Sequence, residues 1–234
     1  MGKISKEKFK TYQNVFDEFT SRTLFKLITQ GHFEGLIGPV SIGKESNVFV
    51  CQKEDYKVIA KIYRLETCDF NRMYDYIKAD PRFAGLKKQK RKIIFAWAQR
   101  EYRNLIRARE AQVRVPTPIT FLNNVLVMEF IGDKEAAPKL KDLIPENEKK
   151  FFNEIIANIK RFYKAGFVHA DLSSFNILNY KEKPVLIDLS HATPLKNPNS
   201  DELLERDIKN ICNFFTKQGL KINPKKIKEK IISV

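Results

Sequence analysis

The spacing of apolar positions changes several times along the chain, and each change predicts a different element. Residues 6–31 repeat apolar side chains on one helical face until Gly31, which predicts a helix. Two short β-branched and aromatic runs follow, NVFVCQ and YKVIAKIY, separated by the charged turn KED, and they predict an antiparallel hairpin. Residues 65–92 are charged and show neither period, so we expect an irregular, flexible loop there.

A helical period returns at Ile93, and two further strands are predicted on either side of the turn Asn123-Asn124. The second half of the chain begins with a helix that ends at Gly166, continues with short strands, and closes with a helix over about 201–219 and a short basic helix. These elements predict an α+β protein with two lobes. We assign residues 1–34 to an N-terminal helical extension, 35–132 to a β-rich N-lobe and 133–234 to a smaller, mainly helical C-lobe.

Composition narrows the class of protein. The chain has 234 residues, of which 43% are hydrophobic, enough for a substantial core and too many for a disordered chain. Its three cysteines are widely separated, which argues against a disulfide framework or a zinc site. No apolar run reaches the length of a membrane span or resembles a signal peptide, so we expect a cytoplasmic protein without a membrane partner.

The formal net charge of +15 is concentrated in two stretches. Residues 82–109 hold ten Lys and Arg against the single acid Glu101, and residues 221–230 hold five Lys against Glu229. Such runs form either a solvated surface or a site for a polyanion such as RNA, and charge alone does not separate the two.

Two features of the β-rich part could bind phosphate. The segment Gly38–Glu45 misses the pattern GxxxxGK[ST] only in its last residue, and a glycine turn between strands brings backbone N–H groups close to a phosphate. Lys61 follows an apolar strand as a phosphate-binding lysine does, with Ala60 beside it leaving room for an adenine ring. Glu101 is the acid expected to pair with Lys61. An ordinary glycine turn and a surface lysine are the alternatives.

The strongest chemical motif lies in the second half. His169-Ala170-Asp171-Leu172-Ser173-Ser174-Phe175-Asn176 fits the pattern H-x-D-x-x-x-x-N, and a second acid, Asp188, ends the apolar strand VLID shortly afterwards. Phosphoryl transfer requires in-line positioning and neutralisation of phosphate charge by a metal ion. Asp171 could accept a hydroxyl proton, while Asn176 and Asp188 offer the oxygen ligands that Mg²⁺ prefers.

Taken together, SIGKESNVF, VIAKIY, WAQREYRNLIRARE, VLVMEFIG, VHADLSSFNIL and VLIDLSHA resemble the RIO family of atypical protein kinases, in particular its first subfamily. His-Ala-Asp in place of His-Arg-Asp, Ile-Asp-Leu-Ser in place of Asp-Phe-Gly, and the lack of an A-P-E sequence all favour this family over ordinary protein kinases. The resemblance implies a two-lobed kinase fold, ATP with Mg²⁺ or Mn²⁺ as cofactor, and action on the small ribosomal subunit precursor and its rRNA.

The resemblance also assigns roles to individual residues. Lys61, Asp171 and Asp188 would be catalytic, and Asp188 could accept phosphate itself in an ATPase-like cycle. Asn176 and Asp188 would hold the metal ion. The residues implied to bind the nucleotide are Ser41, Gly43, Lys44, Glu45, Val48, Ala60, Lys61, Glu101, Met128, Glu129, Ile131, Asn176, Ile187 and Asp188.

Three functions remain open at this point. The first is an ATP-dependent serine/threonine kinase or ATPase acting on ribosome precursors, whose protein substrate the sequence does not identify. The second is a small-molecule phosphotransferase of the aminoglycoside or choline type, which shares the H-x-D-x-x-x-x-N motif. The third is a nucleotide-gated RNA- or ribosome-binding factor. Serine autophosphorylation in the loop at 65–92 is not expected, because Thr67 is the only hydroxyl side chain other than tyrosine between Arg64 and Pro116.

Overall fold

The computed structural model describes residues 16–233. The helices are α1 (Glu18–Thr29), α2 (Phe70–Lys78), α3 (Lys90–Glu110), α4 (Glu148–Lys164), α5 (Ser200–Lys217) and α6 (Pro224–Ile232). The strands are β1 (Gly35–Ile42), β2 (Ser46–Lys53), β3 (Tyr56–Tyr63), β4 (Pro118–Leu122), β5 (Val125–Glu129), β6 (Phe167–Val168), β7 (Ile177–Tyr180), β8 (Lys183–Leu186) and β9 (Thr193–Pro194). The first ten residues of the helix predicted over 6–31 lie outside the described residues.

Contacts divide the chain into two units. The first contains residues 16–102 and Thr117–Phe130, and the second contains Arg103–Pro116 and residues 131–233. The first unit is built on a five-stranded antiparallel sheet in the order β1-β2-β3-β5-β4. Both predicted hairpins are present, with Glu54 and Asn123 in the left-handed backbone region that such tight turns require.

Helix α1 covers one face of this sheet. Leu24 and Leu27 of the helix are completely buried and pack in one cluster with alternate residues of β3, namely Val58, Ala60 and Ile62. Asp17 caps the helix by accepting a hydrogen bond from the Thr20 backbone N–H at 2.9 Å. Because side chains alternate along a strand, Ile59, Lys61 and Tyr63 point to the opposite face of the sheet, where they are also buried.

The prediction of an irregular loop over 65–92 is wrong. This segment contains α2 and a 3-10 turn, Pro81–Phe83, each preceded by an aspartate that caps it, Asp69 and Asp80. Its apolar residues Met73, Ile77 and Phe83 are buried in one cluster with the start of α3. Phe70, Met73, Tyr74 and Ile77 do recur at helical spacing, but the repeat covers only nine residues among charges, which is too short to identify a helix from the pattern alone. Helix α3 also begins at Lys90, three residues earlier than predicted.

The second unit has few strands and is mainly helical, as predicted. The strands form only two-stranded pairs, β6 with β9 and β7 with β8. Helix α4 ends as expected, because Gly166 adopts a positive φ of 85° just beyond the C-cap. Phe152 of α4 and Phe215 of α5 meet edge to face in the core, with ring centroids 5.4 Å apart.

Two expectations from composition can be compared with the structure. Cys51, Cys68 and Cys212 are all buried and form no disulfide. Between residues 16 and 233, none of the helices combines the length and apolarity that a membrane span requires.

Candidate active site

The structure brings Lys61 and Glu101 into contact, as the sequence predicts. The ammonium group of Lys61, on β3, lies 2.9 Å from the carboxylate of Glu101, on α3, and both side chains are almost fully buried. Tyr63, two residues along the strand, donates its hydroxyl to the same carboxylate. A buried carboxylate with two donors is held in one place, so the lysine it pairs with is oriented before any ligand arrives.

Strand alternation decides which residues share the face of Lys61. Val48 is the direct cross-strand partner of Lys61 on β2, and Leu126 is its partner on β5, two residues from Met128. Val48 and Met128 therefore lie on the lysine face, as a nucleotide-binding role requires.

The assignment of Ala60 to the adenine site is wrong. Ala60 is adjacent to Lys61 in sequence, so it points to the opposite face of the strand, where it is fully buried in the cluster beneath α1. Ile59 and not Ala60 lies on the face of Lys61, since residues i and i+2 of a strand share a side.

The predicted phosphate loop is the turn between β1 and β2. Ser41 stands near the end of β1 and Gly43 closes the turn, its N–H donating to the Ser46 carbonyl at 3.0 Å. A Cβ atom at Gly43 would lie only 3.0 Å from that carbonyl oxygen, so the turn is tight enough to favour glycine.

Residues just beyond β3 hold this turn from behind. The carbonyl of Glu45 accepts from the Arg64 N–H at 2.9 Å and from the Cys68 thiol at 3.0 Å, and the carbonyl of Lys44 accepts from the Thr67 hydroxyl at 2.7 Å. These hydrogen bonds to the backbone carbonyls hold the turn in one orientation.

The resemblance to the RIO family also implies that backbone groups of Glu129 and Ile131 contact adenine. Glu129 ends β5; its N–H donates to the Thr117 carbonyl, and its carboxylate accepts from the Thr117 N–H and hydroxyl at 2.8 and 2.7 Å. Ile131 is buried in the second unit, where its carbonyl accepts from the Ala137 N–H at 2.9 Å. The roles of both residues toward adenine stay predictions.

The loop that carries Asp171 is anchored by a buried carboxylate. Asp207, on α5, accepts hydrogen bonds from the Ala170 N–H at 2.7 Å and the Leu172 N–H at 2.8 Å, the residues on either side of Asp171. Burial raises the pKa of Asp207 to about 7, although the two backbone donors and Arg206 act in the opposite direction. Ala170 adopts a positive φ of 66°, so the loop is held in a backbone conformation that alanine rarely takes.

Asn176 and Asp188 are brought close by the pairing of β7 and β8. The Ile187 N–H donates to the Asn176 carbonyl at 3.0 Å, which places Asn176 next to the backbone of the residue preceding Asp188. The Asn176 amide N–H₂ donates to the Asp171 carbonyl and carboxylate, at 2.8 and 3.2 Å. Since the amide nitrogen is turned toward Asp171, the amide oxygen is the atom left to act as a metal ligand.

Donor chemistry fits a hard divalent cation. An amide oxygen and a carboxylate suit Mg²⁺, which takes one or two such protein ligands and completes its shell with water and substrate phosphates. The described residues 16–233 contain no group of three or more His, Cys, Asp and Glu that could hold a metal ion.

Asp188 has an unusual backbone that its neighbours support. Its φ is 61°, in the left-handed region, and the Ser190 hydroxyl donates to its Oδ1 at 2.8 Å. The His169 ring lies 3.1 Å, through Nε2, from the carbonyl of Ile187, so the proton of that ring is assigned to Nε2. Ile187 thus contributes backbone contacts around Asn176 and Asp188, whereas its predicted contact with the nucleotide stays a prediction.

Comparison with protein families supplies a direct match. Residues 47–228 match the family model described as the RIO domain. This chain belongs to the RIO family. It is 42% identical over 221 residues to the RIO-type serine/threonine-protein kinase Rio1 of Methanocaldococcus jannaschii, covering 94% of this chain and 76% of that one. It is 40% identical over 215 residues to Rio1 of Haloferax volcanii, covering 91% and 74%.

Solved structures support the fold of this RIO protein. The Rio2 kinase from Chaetomium thermophilum, in its ADP/Mg²⁺–phosphoaspartate complex, superposes with a TM-score of 0.70 at 19% identity, over 92% of this chain and 67% of that one. The predicted α+β kinase-like fold is confirmed, and so is the family that the motifs indicated. With named kinases covering most of the chain, this RIO protein is an atypical serine/threonine-protein kinase.

Sequence reasoning missed several residues that support the site of this RIO kinase. Tyr63 and Asp207 are two, and Asn104 is a third: its amide donates to the carbonyls of Leu189 and Ala192, at 2.8 and 3.1 Å, in the turn that follows Asp188. Asp207 did carry a signal. It lies on the apolar face of α5, and a charged residue on a buried face needs a specific partner.

Proposed function

We propose that this RIO kinase binds ATP with Mg²⁺ in the cytoplasm, uses it in maturation of the small ribosomal subunit, and turns ATP over chiefly as an ATPase. The observation that carries the nucleotide part is the buried Lys61–Glu101 pair on the face of the sheet opposite α1. A lysine oriented in this way supplies fixed positive charge to phosphates, which is the main demand of phosphoryl transfer.

Residues of this chain account for the remaining roles. Lys61 would contact the nucleotide phosphates, with backbone N–H groups of the turn at Gly43 beside them. Asn176 and Asp188 would hold Mg²⁺, which neutralises phosphate charge when bound. Asp171, fixed by the amide of Asn176, would orient the attacking hydroxyl and accept its proton.

A covalent route is open through Asp188. A carboxylate oxygen of Asp188 would attack the γ-phosphorus, the bond between that phosphorus and the β–γ bridging oxygen would break, and ADP would leave with the electron pair. Water would then hydrolyse the acyl phosphate to phosphate and restore the carboxylate. The Rio2 kinase of Chaetomium thermophilum supports this route, because its solved structure is a complex with ADP, Mg²⁺ and phosphoaspartate.

An exposed basic surface supports a ribosomal partner. Of the ten basic residues between 82 and 109, five lie together and exposed at the end of the segment and the start of α3: Lys87, Lys88, Lys90, Arg91 and Lys92. Such a cluster matches the phosphate backbone of RNA and would bind it with a strong dependence on salt. This surface favours the hypothesis that the protein binds the ribosome precursor and that its nucleotide state controls this binding. Membership of the RIO family weighs against a small-molecule phosphotransferase.

The experiment measures ATP turnover and release from small-subunit precursor particles. We expect Asp171→Ala and Asp188→Ala to abolish turnover and to remain bound to the particles, and normal turnover with normal release would overturn the catalytic assignment. Joint reversal of Lys87, Lys88 and Lys90 to Glu should weaken particle binding and leave ATP binding unchanged. The matched control replaces Lys149, Lys183 and Lys196 with Glu; these three lysines are exposed in the second unit.

A further inference from the structure

A buried ion pair joins the segment before α3 to that helix. Asp80 is 1% exposed, and its carboxylate accepts from the Nε of Arg100 at 3.2 Å and from the Nε and Nη2 of Arg82 at 2.9 and 2.6 Å. Arg100 lies in the middle of α3 and is completely buried. Neither residue belongs to the nucleotide site derived above.

The surroundings of Arg100 show that its position is specified. Its guanidinium lies over the rings of Trp97 and Tyr76, 5.2 and 5.6 Å from their centroids, so it is held between two aromatic side chains and a carboxylate. Burial lowers the pKa of Arg100 to about 10, with Asp80 acting against this, so the side chain stays charged at neutral pH. Removing one member of such a pair leaves a buried charge without compensation.

Arg100 directly precedes Glu101 on the same turn of α3. Consecutive residues on a helix point about 100° apart, so the two side chains leave the helix in different directions. One direction ends at Asp80 and the other at Lys61. The helix is thus held at a single turn from two sides, by one ion pair to the preceding segment and one to β3.

We propose that Asp80 is a positioning residue for the nucleotide site: by holding Arg100 it sets the rotation of α3 at which Glu101 reaches Lys61. The inference rests on the proposed function in so far as Lys61 binds phosphate. A side chain in a catalytic pair must be held within roughly 0.5 Å of its productive place, and one ion pair on a helix surface does not by itself fix the rotation of the helix.

The segment that contains Asp80 is suited to this task. Met73, Ile77 and Phe83 bury its inner face in one cluster with Ile93, Ile94 and Trp97 at the beginning of α3. Asp80 caps the 3-10 turn, accepting from the Arg82 N–H at 3.1 Å, so its own carboxylate is fixed in place. The apolar contacts hold the segment against α3, and the ion pair fixes its position along the helix.

The first test reads the Lys61–Glu101 pair without any nucleotide. Lys61 is labelled with a small amine-reactive ester and its modification rate is followed by peptide mass spectrometry in wild type, Asp80→Asn and the control Asp75→Asn. Asp75 is exposed on α2, so its variant makes the same charge change away from α3. We expect labelling of Lys61 to rise roughly tenfold in Asp80→Asn and to be unchanged in the control. An unchanged rate in Asp80→Asn would overturn the proposal.

A second variant covers the case in which Asp80→Asn does not fold. Arg100→Met removes the buried cation while Asp80 keeps its contacts with Arg82. We expect Arg100→Met to fold, and fluorescence of Trp97, the single tryptophan of the chain, should show the emission of a buried indole. The variant should show the same increase in Lys61 labelling. A folded Arg100→Met protein with wild-type labelling would count against positioning.

A kinetic cycle distinguishes positioning from a general loss of structure. If Asp80 acts through Glu101, Asp80→Asn lowers ATP turnover roughly tenfold in the wild-type background and hardly at all in Glu101→Gln. Losses that multiply in the double variant would show that Asp80 acts elsewhere and would overturn the proposal. If wild type itself turned over no ATP, the proposed function would fail, and the labelling result would still decide whether Asp80 positions the pair.

Discussion

The two units hold their candidate catalytic groups in different ways. In the first, Lys61 and Glu101 lie on a regular strand and a regular helix, and they meet through direct side-chain contact in a buried place. In the second, Asp171 and Asp188 lie outside the regular elements. Hydrogen bonds to the neighbouring backbone hold their segments, and their carboxylates accept from side chains close in sequence, Asn176 and Ser190.

The difference has a physical consequence. A pair built into regular elements also contributes to folding, so its loss costs stability as well as activity. Residues on a loop can be exchanged with little effect on folding, provided that the anchor of the loop remains. Ala170 and Asp188 adopt strained left-handed backbone, which persists only because neighbouring contacts impose it. Four predictions test this contrast, beginning with the change that should matter most.

Replacing Asp171 with Asn should lower phosphoryl transfer from ATP by roughly 10²–10⁴-fold, the usual contribution of a positioned acid or base. The unfolding midpoint should change little, because the loop is held by Asp207 and not by the side chain of Asp171. Steady-state ATP turnover and thermal unfolding check this. Asp142→Asn, an exposed aspartate of the same unit, serves as the control, and a large loss of stability in Asp171→Asn would remove the contrast between the two units.

Replacing Glu101 with Ala should lower the free energy of unfolding by about 3–5 kcal/mol, since Lys61 would be left as a buried charge. The matched control is Glu18→Ala, which removes the partner of Arg22 from an exposed pair on α1 and should cost less than about 1 kcal/mol. Urea unfolding measures both variants. Equal costs would mean that the buried pair is not a structural part of the first unit.

The buried Asp207, which anchors the loop that carries Asp171, should make stability depend on pH. Because the pKa of Asp207 is raised to about 7, the folded protein keeps a proton there between about pH 4 and pH 7 that the unfolded chain has lost. The contribution is complete below the unfolded pKa and is lost as the pH rises through 7. The free energy of unfolding should therefore fall by about 4 kcal/mol across this window.

The variant Asp207→Asn isolates this effect. It removes the titrating group, so the difference in unfolding free energy between wild type and variant should change with pH from 4 to 7. Other carboxylates, including Asp80 with its lowered pKa, contribute to both proteins and cancel in the difference. A difference that stays constant with pH would show that Asp207 is ionised throughout, with its two backbone donors outweighing burial.

The smallest effect is expected at the phosphate turn. A methyl group at Gly43 would press on the Ser46 carbonyl, so Gly43→Ala should cost about 1 kcal/mol of stability and weaken nucleotide binding severalfold. Gly38→Ala, on β1, is the control, because a Cβ atom there meets nothing within 4 Å. Calorimetric binding of ADP and urea unfolding compare the two. Equal behaviour of both variants would show that the turn is not tight in solution.

Local pattern was sufficient for most elements and for the motif that carries the candidate catalytic residues. The hairpins, the helix end at Gly166 and the motif His169–Asn176 depend on residues close together in the chain, where period and turn chemistry act directly. Glu101 could be paired with Lys61 across 40 positions because a helix acid and a strand lysine are a recurring combination. The error at Ala60 came from motif spacing, since a shift of one residue moves a side chain to the other face of a strand.

The fold class and the family could be predicted from the sequence, and the candidates Lys61, Asp171, Asn176 and Asp188 could be selected because each is marked by its immediate neighbours. Packing of the whole chain was needed to show that α2 and the turn Pro81–Phe83 pack against α3, that Asp80 meets Arg100, and that Asp207 anchors the loop at Ala170 and Leu172. The last contacts span 37 and 35 positions. A charged residue on an apolar helical face indicates that a buried partner is required. Which residue becomes that partner depends on how distant parts of the chain pack together.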